Sequence, residues 1–386
     1  MLSYDIYAYG RMIRDCVRTD AYAEALRRSV GPNSVILDLG TGVGIWALLA
    51  CQFGARRVYA LDPNDAIQIA REMAAVNGYS DRIEFIQELS TRIALPEQAD
   101  VIVTDMHGIV PMFEQNLPSI IDARQRLLAP GGKIIPEKDT LWAVPVSAPE
   151  SYDQVVRPWA ERPYGYEWGP AMHIAVNDWF KIKDKVTPLE FFAEPKCWAT
   201  LDYATLASPN VAGELAWNAT RDGTCHGLIV WFETLLVDGV SFSNAPGLPE
   251  TIFGQAFFPW SEPVSISAGD RISAGLRCDL VGNYHLWRWT TTVRNQGHPA
   301  RVKADFKQST FFAMPLSPSG LHKRAADYIP KLSQDGQIQQ FVLSLMDGKT
   351  SVEGIASETA SQFSSRFINR DEVQRVVADL SERYTE

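Results

Sequence analysis

The stretch Val35-Ile-Leu-Asp-Leu-Gly-Thr-Gly-Val-Gly-Ile-Trp46 leaves few folds open to this chain. An apolar strand pattern runs into Gly40, Gly42 and Gly44, and a helical pattern follows. Strand, glycine bend and helix make the first unit of a parallel α/β sheet. The glycines let the backbone approach a ligand where any Cβ would collide. A second strand, Val58-Tyr-Ala-Leu-Asp62, ends in a carboxylate that can accept hydrogen bonds from both ribose hydroxyls of a nucleoside. The spacing then selects among nucleosides. A dinucleotide turn reads G-x-G-x-x-G and faces a pyrophosphate. Here the third glycine comes one residue early, and Asp38 stands just before the turn. S-adenosyl-L-methionine has no phosphate but carries an ammonium group, which Asp38 suits directly or through water.

Residues 1–30 show helical spacing at Met12, Ile13, Val17 and Tyr22. From residue 31 to 145 strands at 34–39, 57–61, 82–87, 99–105 and 132–135 alternate with helices at 44–53, 66–77 and 116–128. That order predicts a Rossmann-like domain over residues 1–145, a parallel sheet with helices on both faces. Ala129-Pro-Gly-Gly132 reads as a turn. After residue 145 short β-rich stretches at 227–237, 264–266, 271–280, 284–293 and 310–313 are separated by Gly, Pro, Asn and Asp. They predict an antiparallel β-barrel or sandwich over 146–316. Residues 155–195 are rich in Trp, Tyr, Phe and Pro, with a helical pattern at 179–186, and suit either a subunit contact or packing on the barrel. Pro315–Gly320 is a linker signal, and 321–386 form a small amphipathic helical unit.

Composition closes off other classes. A chain of 386 residues holds two or three domains. The net charge of −10 disfavours a nucleic-acid surface, which needs clustered Lys and Arg. The five cysteines, scattered without C-x-x-C spacing, suggest free thiols in a reducing cytoplasm rather than disulfides or zinc. No segment reads as a signal peptide or a membrane span.

Four segments, in order, resemble the core of the protein arginine methyltransferases. They are the helix Met12-Ile-Arg-Asp-Cys-Val-Arg18-Thr, the glycine turn at 38–44, the carboxylate Asp62, and Thr104-Asp-Met-His-Gly-Ile-Val-Pro-Met-Phe-Glu114. The last resembles that family's paired-acid hairpin loop. The resemblance covers roughly residues 4–315, more weakly after 145. It implies a Rossmann-like domain, a β-barrel, a dimerisation arm near 155–195 and a head-to-tail homodimer. It also implies that Arg18 holds the cofactor carboxylate and that Met12 lies against the sulfonium. Asp38, Gly40, Gly42 and Gly44 would cradle the methionine portion, and Asp62 the ribose. Asp105 and Glu114 would grip a guanidinium and aim its nitrogen at the methyl group.

The chain also departs from the family. The first acid is Asp105, one methylene shorter than glutamate. A Thr-His-Trp stretch is replaced by Thr251-Ile-Phe253, which leaves Asp15 without its expected histidine partner. The adenine-contacting glutamate position falls at Thr91, after Ser90. The tyrosine-rich N-terminal helix is shortened to the region of Tyr4, Tyr7 and Tyr9. His107 stands where the family carries methionine; it either serves as a base or substrate contact, or bonds the loop and points away. Residues 322–386 resemble the small, winged-helix-like PqqD domains found beside peptide-modifying enzymes, through Gln337–Ala356. The expected activity is N-methylation of a guanidinium on arginine, a peptide or a protein. Two alternatives stay open: methylation of another nitrogen or oxygen on a peptide or specialised metabolite, and a non-catalytic cofactor- and peptide-binding scaffold.

Overall fold

The computed structural model describes residues 5–182, 190–298 and 300–385, and the chain divides into two compact units that meet at Pro315 and Leu316. Tyr4 and residues 183–186 of the helix expected at 179–186 lie outside the described residues.

Helix α1 (Ile6–Arg14) and helix α2 (Cys16–Ser29) are separated by Asp15, whose side chain accepts from the backbone N–H of Arg18 and caps α2. Arg18, Tyr22, Ala25 and Leu26 form the buried stripe of α2, at the spacing of a helix with one inward face. Then come β1 (Val35–Leu39), α3 (Ile45–Gln52), β2 (Arg57–Leu61), α4 (Ala66–Val76), β3 (Ile83–Ile86), β4 (Ala99–Thr104), α5 (Asn116–Arg126) and β5 (Leu128–Ile135). The five strands are parallel in the order β3-β2-β1-β4-β5. Strand β1 is buried along its whole length, as a central parallel strand with helices on both faces must be. Strand order reverses between β1 and β4, which opens a crevice at their carboxyl ends. Ala129–Gly132, read from sequence as a turn, lies inside β5 instead. Its register shifts between the pairs Ala99–Leu128 and Val101–Lys133, so the proline and glycines form a bulge.

The next strand, β6 (Lys138–Val146), already pairs outside this sheet. After it come α6 (Pro149–Ala160), α7 (Gly169–Val176), β7 (Phe180–Ile182), β8 (Lys196–Asp202), β9 (Val211–Asn218), β10 (Gly223–Val237), β11 (Val240–Ser243), β12 (Gln255–Ile266), β13 (Arg271–Val281), β14 (Tyr284–Arg294) and β15 (Val302–Ser309). They make two antiparallel sheets. One has the order β7-β12-β10-β6-β8 with β11 added on β10, and the other is β15-β14-β13-β9. This corrects the expected closed barrel. The two sheets pack through Phe258 of β12 against Trp287 and Trp289 of β14, with ring centroids 5.1 and 5.2 Å apart. Two further expectations change. Phe180–Ile182 is strand, not helix, because it adds to the edge of β12. Thr310–Ala313 is the turn that follows β15. Helices α6 and α7 form a hairpin whose connection exposes Tyr164 and Tyr166.

Edge strands of the two sheets meet at Gly213, where a Cβ would lie 1.9 Å from the carbonyl oxygen of Trp198. Backbone cannot yield as a flexible side chain can. Gly213→Ala is therefore expected to destabilise the fold by about 1–3 kcal/mol, the usual overpacking cost, read as a lower denaturant midpoint at unchanged slope.

The second unit consists of α8 (Pro318–His322), α9 (Gln334–Ser344), α10 (Val352–Gln362) and α11 (Arg370–Tyr384). Ser333, Ser351 and Asn369 cap the last three through their side chains. Ile338, Val342, Ile355, Val373, Val377 and Leu380 make its core. Its described residues contain no strand, so the expected wing has no counterpart among them. Among the described residues no helix is long and apolar enough to cross a membrane, and no metal-holding cluster occurs. Cys51, Cys225 and Cys278 are buried free thiols, while Cys16 and Cys197 are exposed.

Candidate active site

A cavity of about 570 Å³ opens at the carboxyl ends of β1 and β4 and is lined by Met12, Gly40, Gly42, Asp62, Asp105 and Glu114, among others. Each glycine of the turn has a positive φ: 79° at Gly40, 53° at Gly42 and 88° at Gly44. Space is closed there as well. A Cβ on Gly40 would stand 2.7 Å from Cγ of Met106, and one on Gly42 2.7 Å from Cε1 of Tyr9. Asp62, at the end of β2, fastens the turn. Its Oδ2 accepts the N–H of Gly42 at 2.8 Å, and its Oδ1 accepts the N–H of Asn64 at 2.8 Å.

Asp38 is fully buried near the end of β1. Its Oδ2 accepts from the Thr41 hydroxyl at 2.6 Å and from the N–H of Ala47 at 3.0 Å. Oδ1 is buried with no hydrogen-bond partner among the described residues. Burial pushes this carboxyl up to about 7, against the pull of Thr41 and Ala47 and with the help of Asp62 and Asp105. Arg18 presents the opposite charge. One guanidinium nitrogen pairs with Oδ2 of Asp105, and the other donates to the carbonyl of Met12 at 2.8 Å. Its Cζ lies 5.3 Å from the centre of the Trp46 ring, and Nε is buried without a partner among the described residues. Arg18 lines the cavity, and its orphaned N–H fits a ligand carboxylate; Asp38, whose orphaned oxygen suits an ammonium, is buried outside the lining. The methionine end of S-adenosyl-L-methionine carries both.

Two expectations at this end of the cavity are corrected. Thr91 is exposed and does not line the cavity; Glu88, three residues earlier, and the buried Ser90 do. Asp15 is not left unpaired by the missing histidine. Its Oδ2 accepts the N–H of Ile252 at 2.7 Å while Oδ1 caps α2. Phe253 is buried, edge-on to His107 at 6.0 Å.

Asp105 is the first residue beyond β4, and the hairpin it opens returns Glu114 to the same cavity. Glu114 has a φ of 43°, a left-handed conformation costly for a residue with a Cβ. Its carbonyl accepts from Nε2 of His285 at 2.8 Å, which ties the hairpin to β14. Partial burial raises the Glu114 carboxyl above its ordinary value. Asp105 is engaged on both oxygens, by Arg18 on Oδ2 and by Nδ1 of His107 on Oδ1 at 3.3 Å. His107 in turn places Nε2 2.8 Å from Oδ2 of Asp139, in β6, and stacks on Phe232. Asp139 also accepts from the hydroxyls of Tyr203 and Thr234. Burial alone would lower the His107 pKa, but Asp139 and Asp105 outweigh it and hold the ring at about 10. With both nitrogens facing carboxylates, His107 has no lone pair to offer a substrate.

The structure thus brings Met12, Arg18, Gly40, Gly42, Asp62, Ser90, Asp105, His107 and Glu114 to one cavity, while Asp38 and Gly44 do not line it. Sequence reasoning missed Glu88, Asp139 and His285. One signal was present: Asp139 is a charge beside an apolar strand run, Leu141-Trp-Ala-Val144, where burial demands a partner.

Comparison with known proteins gives this geometry a lineage. Residues 18–136 match the family model of the ribosomal protein L11 methyltransferases (PrmA), and residues 137–283 match the arginine methyltransferase oligomerization subdomain. A probable protein arginine N-methyltransferase 6 of Arabidopsis thaliana is 30% identical over 250 residues, covering 63% of this chain and 57% of that protein's length. Among solved structures, the Trypanosoma brucei PRMT1 enzyme–prozyme heterotetrameric complex with AdoHcy superposes with a TM-score of 0.70 at 23% identity. It covers 78% of this chain and 96% of that one. Arabidopsis thaliana protein arginine methyltransferase 10 gives 0.68 at 23%, covering 80% and 97%, so the two share the fold. The arginine N(omega)-methyltransferase of Streptomyces achromogenes subsp. streptozoticus is 30% identical over 272 residues, 69% of this chain and 74% of its own. A match of that identity over most of both sequences settles the kinship: this chain belongs to the arginine N-methyltransferase family.

Proposed function

We propose that the chain is an S-adenosyl-L-methionine-dependent methyltransferase acting on a guanidinium nitrogen of arginine, in a peptide or protein. One observation carries the reading: two acids from a single hairpin line the cavity that Arg18 also lines, with its Nε unpartnered among the described residues. When bound, the donor supplies a methyl group on a positively charged sulfur, already a good leaving group. The protein's part is placement. Asp38 takes the ammonium, Arg18 the carboxylate, Asp62 and Ser90 the nucleoside, and Met12 packs against the reacting end. Glu114 and Asp105 accept N–H bonds from the acceptor guanidinium and turn one nitrogen lone pair toward the methyl. Arginine peptides incubated with tritium-labelled donor test this directly. Label recovered on methylarginine after hydrolysis supports it, and none on any guanidinium removes it.

Donor affinity should follow Asp38. An ammonium prefers the ionised carboxylate, so the dissociation constant is expected to fall as pH rises through about 7. The ligand-free protein should show the opposite trend. Its folded form keeps a proton that an unfolded aspartate, ordinarily near 3.8, has already released, so stability declines as pH rises from about 4 to about 7. Calorimetry reads the first effect and denaturant titration the second. Flat profiles in both would place the ammonium elsewhere.

A second reading keeps the donor and changes the acceptor to a hydroxyl or another nitrogen. It is favoured by Asp105, whose two oxygens are already engaged. Label recovered after hydrolysis on a product other than methylarginine would support it. The exposed tyrosines between α6 and α7 support a homodimer contact through this hairpin, which light scattering tests.

A further inference from the structure

Arg18, Asp105, His107 and Asp139 form one connected row of buried charged side chains, drawn from α2, the acid hairpin and β6. We infer that Asp139 is a positioning residue: it holds His107 as an imidazolium, and the Nδ1–H of that imidazolium fixes the orientation of Asp105. The inference deepens the proposed function and rests on Asp105 being an acceptor-binding acid there.

Hydrogen-bond chemistry requires the charged ring. A neutral imidazole offers one donor and one acceptor, whereas ionised carboxylates only accept. Both ring nitrogens face carboxylate oxygens, so a neutral ring would set a lone pair against a lone pair. Asp139 acts as an acceptor on both oxygens, since the hydroxyls of Tyr203 and Thr234 donate to it. Charge counting agrees. One guanidinium and two carboxylates leave a buried net charge of −1, which an imidazolium cancels.

The ring's own neighbours add nothing that titrates near neutrality, and Asp38, which does, acts on this row only through its repulsion of Asp105. Phe232 stacks on it at 5.1 Å and Phe253 meets it edge-on. Tyr22, on α2, and Tyr203 are held neutral by burial, and Arg18 lies beyond Asp105. Wild-type Asp105 should therefore keep its orientation across the neutral range.

The test is Asp139→Asn in the full-length protein. With a single carboxylate left, the ring should return toward its ordinary pKa of about 6.5. The kcat is then expected to fall on the order of tenfold at mildly alkaline pH, the scale of a lost orienting partner, and to recover as pH drops below neutrality. Wild type should show no such limb, and the donor dissociation constant should stay within about twofold because Asp38 and Arg18 are untouched. His107→Gln, which keeps hydrogen bonds without charge, should lose activity with no added pH dependence. Nitrogen-15 NMR of His107 gives an independent readout, with both nitrogens protonated in wild type at neutral pH. A neutral ring in wild type, or an Asp139→Asn variant with wild-type kcat and pH profile, overturns the inference. Should Asp139→Asn fail to fold, the nitrogen-15 spectrum of wild type decides alone: both ring nitrogens protonated at neutral pH supports the inference, and a neutral ring overturns it. Absence of any methyl transfer by wild type would instead count against the proposed function, leaving the NMR result to decide this one.

Discussion

Glu114→Gln is expected to bind the donor as wild type does, yet transfer methyl groups about a hundredfold more slowly or worse, the usual effect of losing orientation at a reacting centre. The exchange keeps length and shape and removes only charge. Glu114 lines the cavity, and its carboxylate makes none of the hydrogen bonds that fasten the glycine turn. A gain in acceptor KM alone would mean that the charge attracts the substrate without orienting it. Near-wild-type kcat would remove Glu114 from the chemistry. The variant also isolates backbone from side chain, because glutamine adopts the φ of 43° no more readily than glutamate.

Arg18→Ala should do more damage, in two separable ways. Its guanidinium and Asp105 are both buried, with side chains 6% and 4% exposed. Removing one member of such a pair strands the other charge in a low-dielectric site and is expected to cost about 3–5 kcal/mol of stability. Donor affinity should collapse as well, since the unpartnered Nε is the group proposed to meet the donor carboxylate. Arg18→Lys separates the two effects. A lysine keeps the charge for Asp105 but lacks the fork that also reaches the carbonyl of Met12. It should regain most of the stability and little of the affinity, as denaturant titration and calorimetry can show. Equal recovery of both would mean that Arg18 serves only Asp105.

The donor half of the site was readable from the sequence because its residues are close in the chain and bound to one motif. Asp38 and the glycines occupy one strand and its turn, Asp62 follows the next strand, and Arg18 lies in the same short segment as Met12. The acid hairpin was equally legible, being continuous. What escaped depends on pairing across distance. Asp139 meets His107 only because β6 pairs with β10 and brings Thr234 alongside, a register that no local pattern encodes. The choice between one barrel and two sheets has the same origin, since closure depends on which edge strands find each other. Glu88 was missed by three positions, within a loop whose path follows the 3₁₀ turn Ser90–Arg92 rather than any periodicity. Asp15 shows a third kind of failure. Its partner is a backbone N–H at Ile252, and backbone donors are invisible to residue-type reasoning.

The junction near residue 136, where one ancestral pattern gives way to the next, is no place to divide the polypeptide. Asp105 and His107 come from the amino-terminal segment, while Asp139, Tyr203 and Thr234 come from the carboxyl-terminal one. A fragment ending at this junction would expose a histidine stripped of its counterion, and the complementary fragment would bury an aspartate stripped of its cation. Neither piece could evolve or be engineered as a stand-alone module without first neutralising its share of that electrostatic seam.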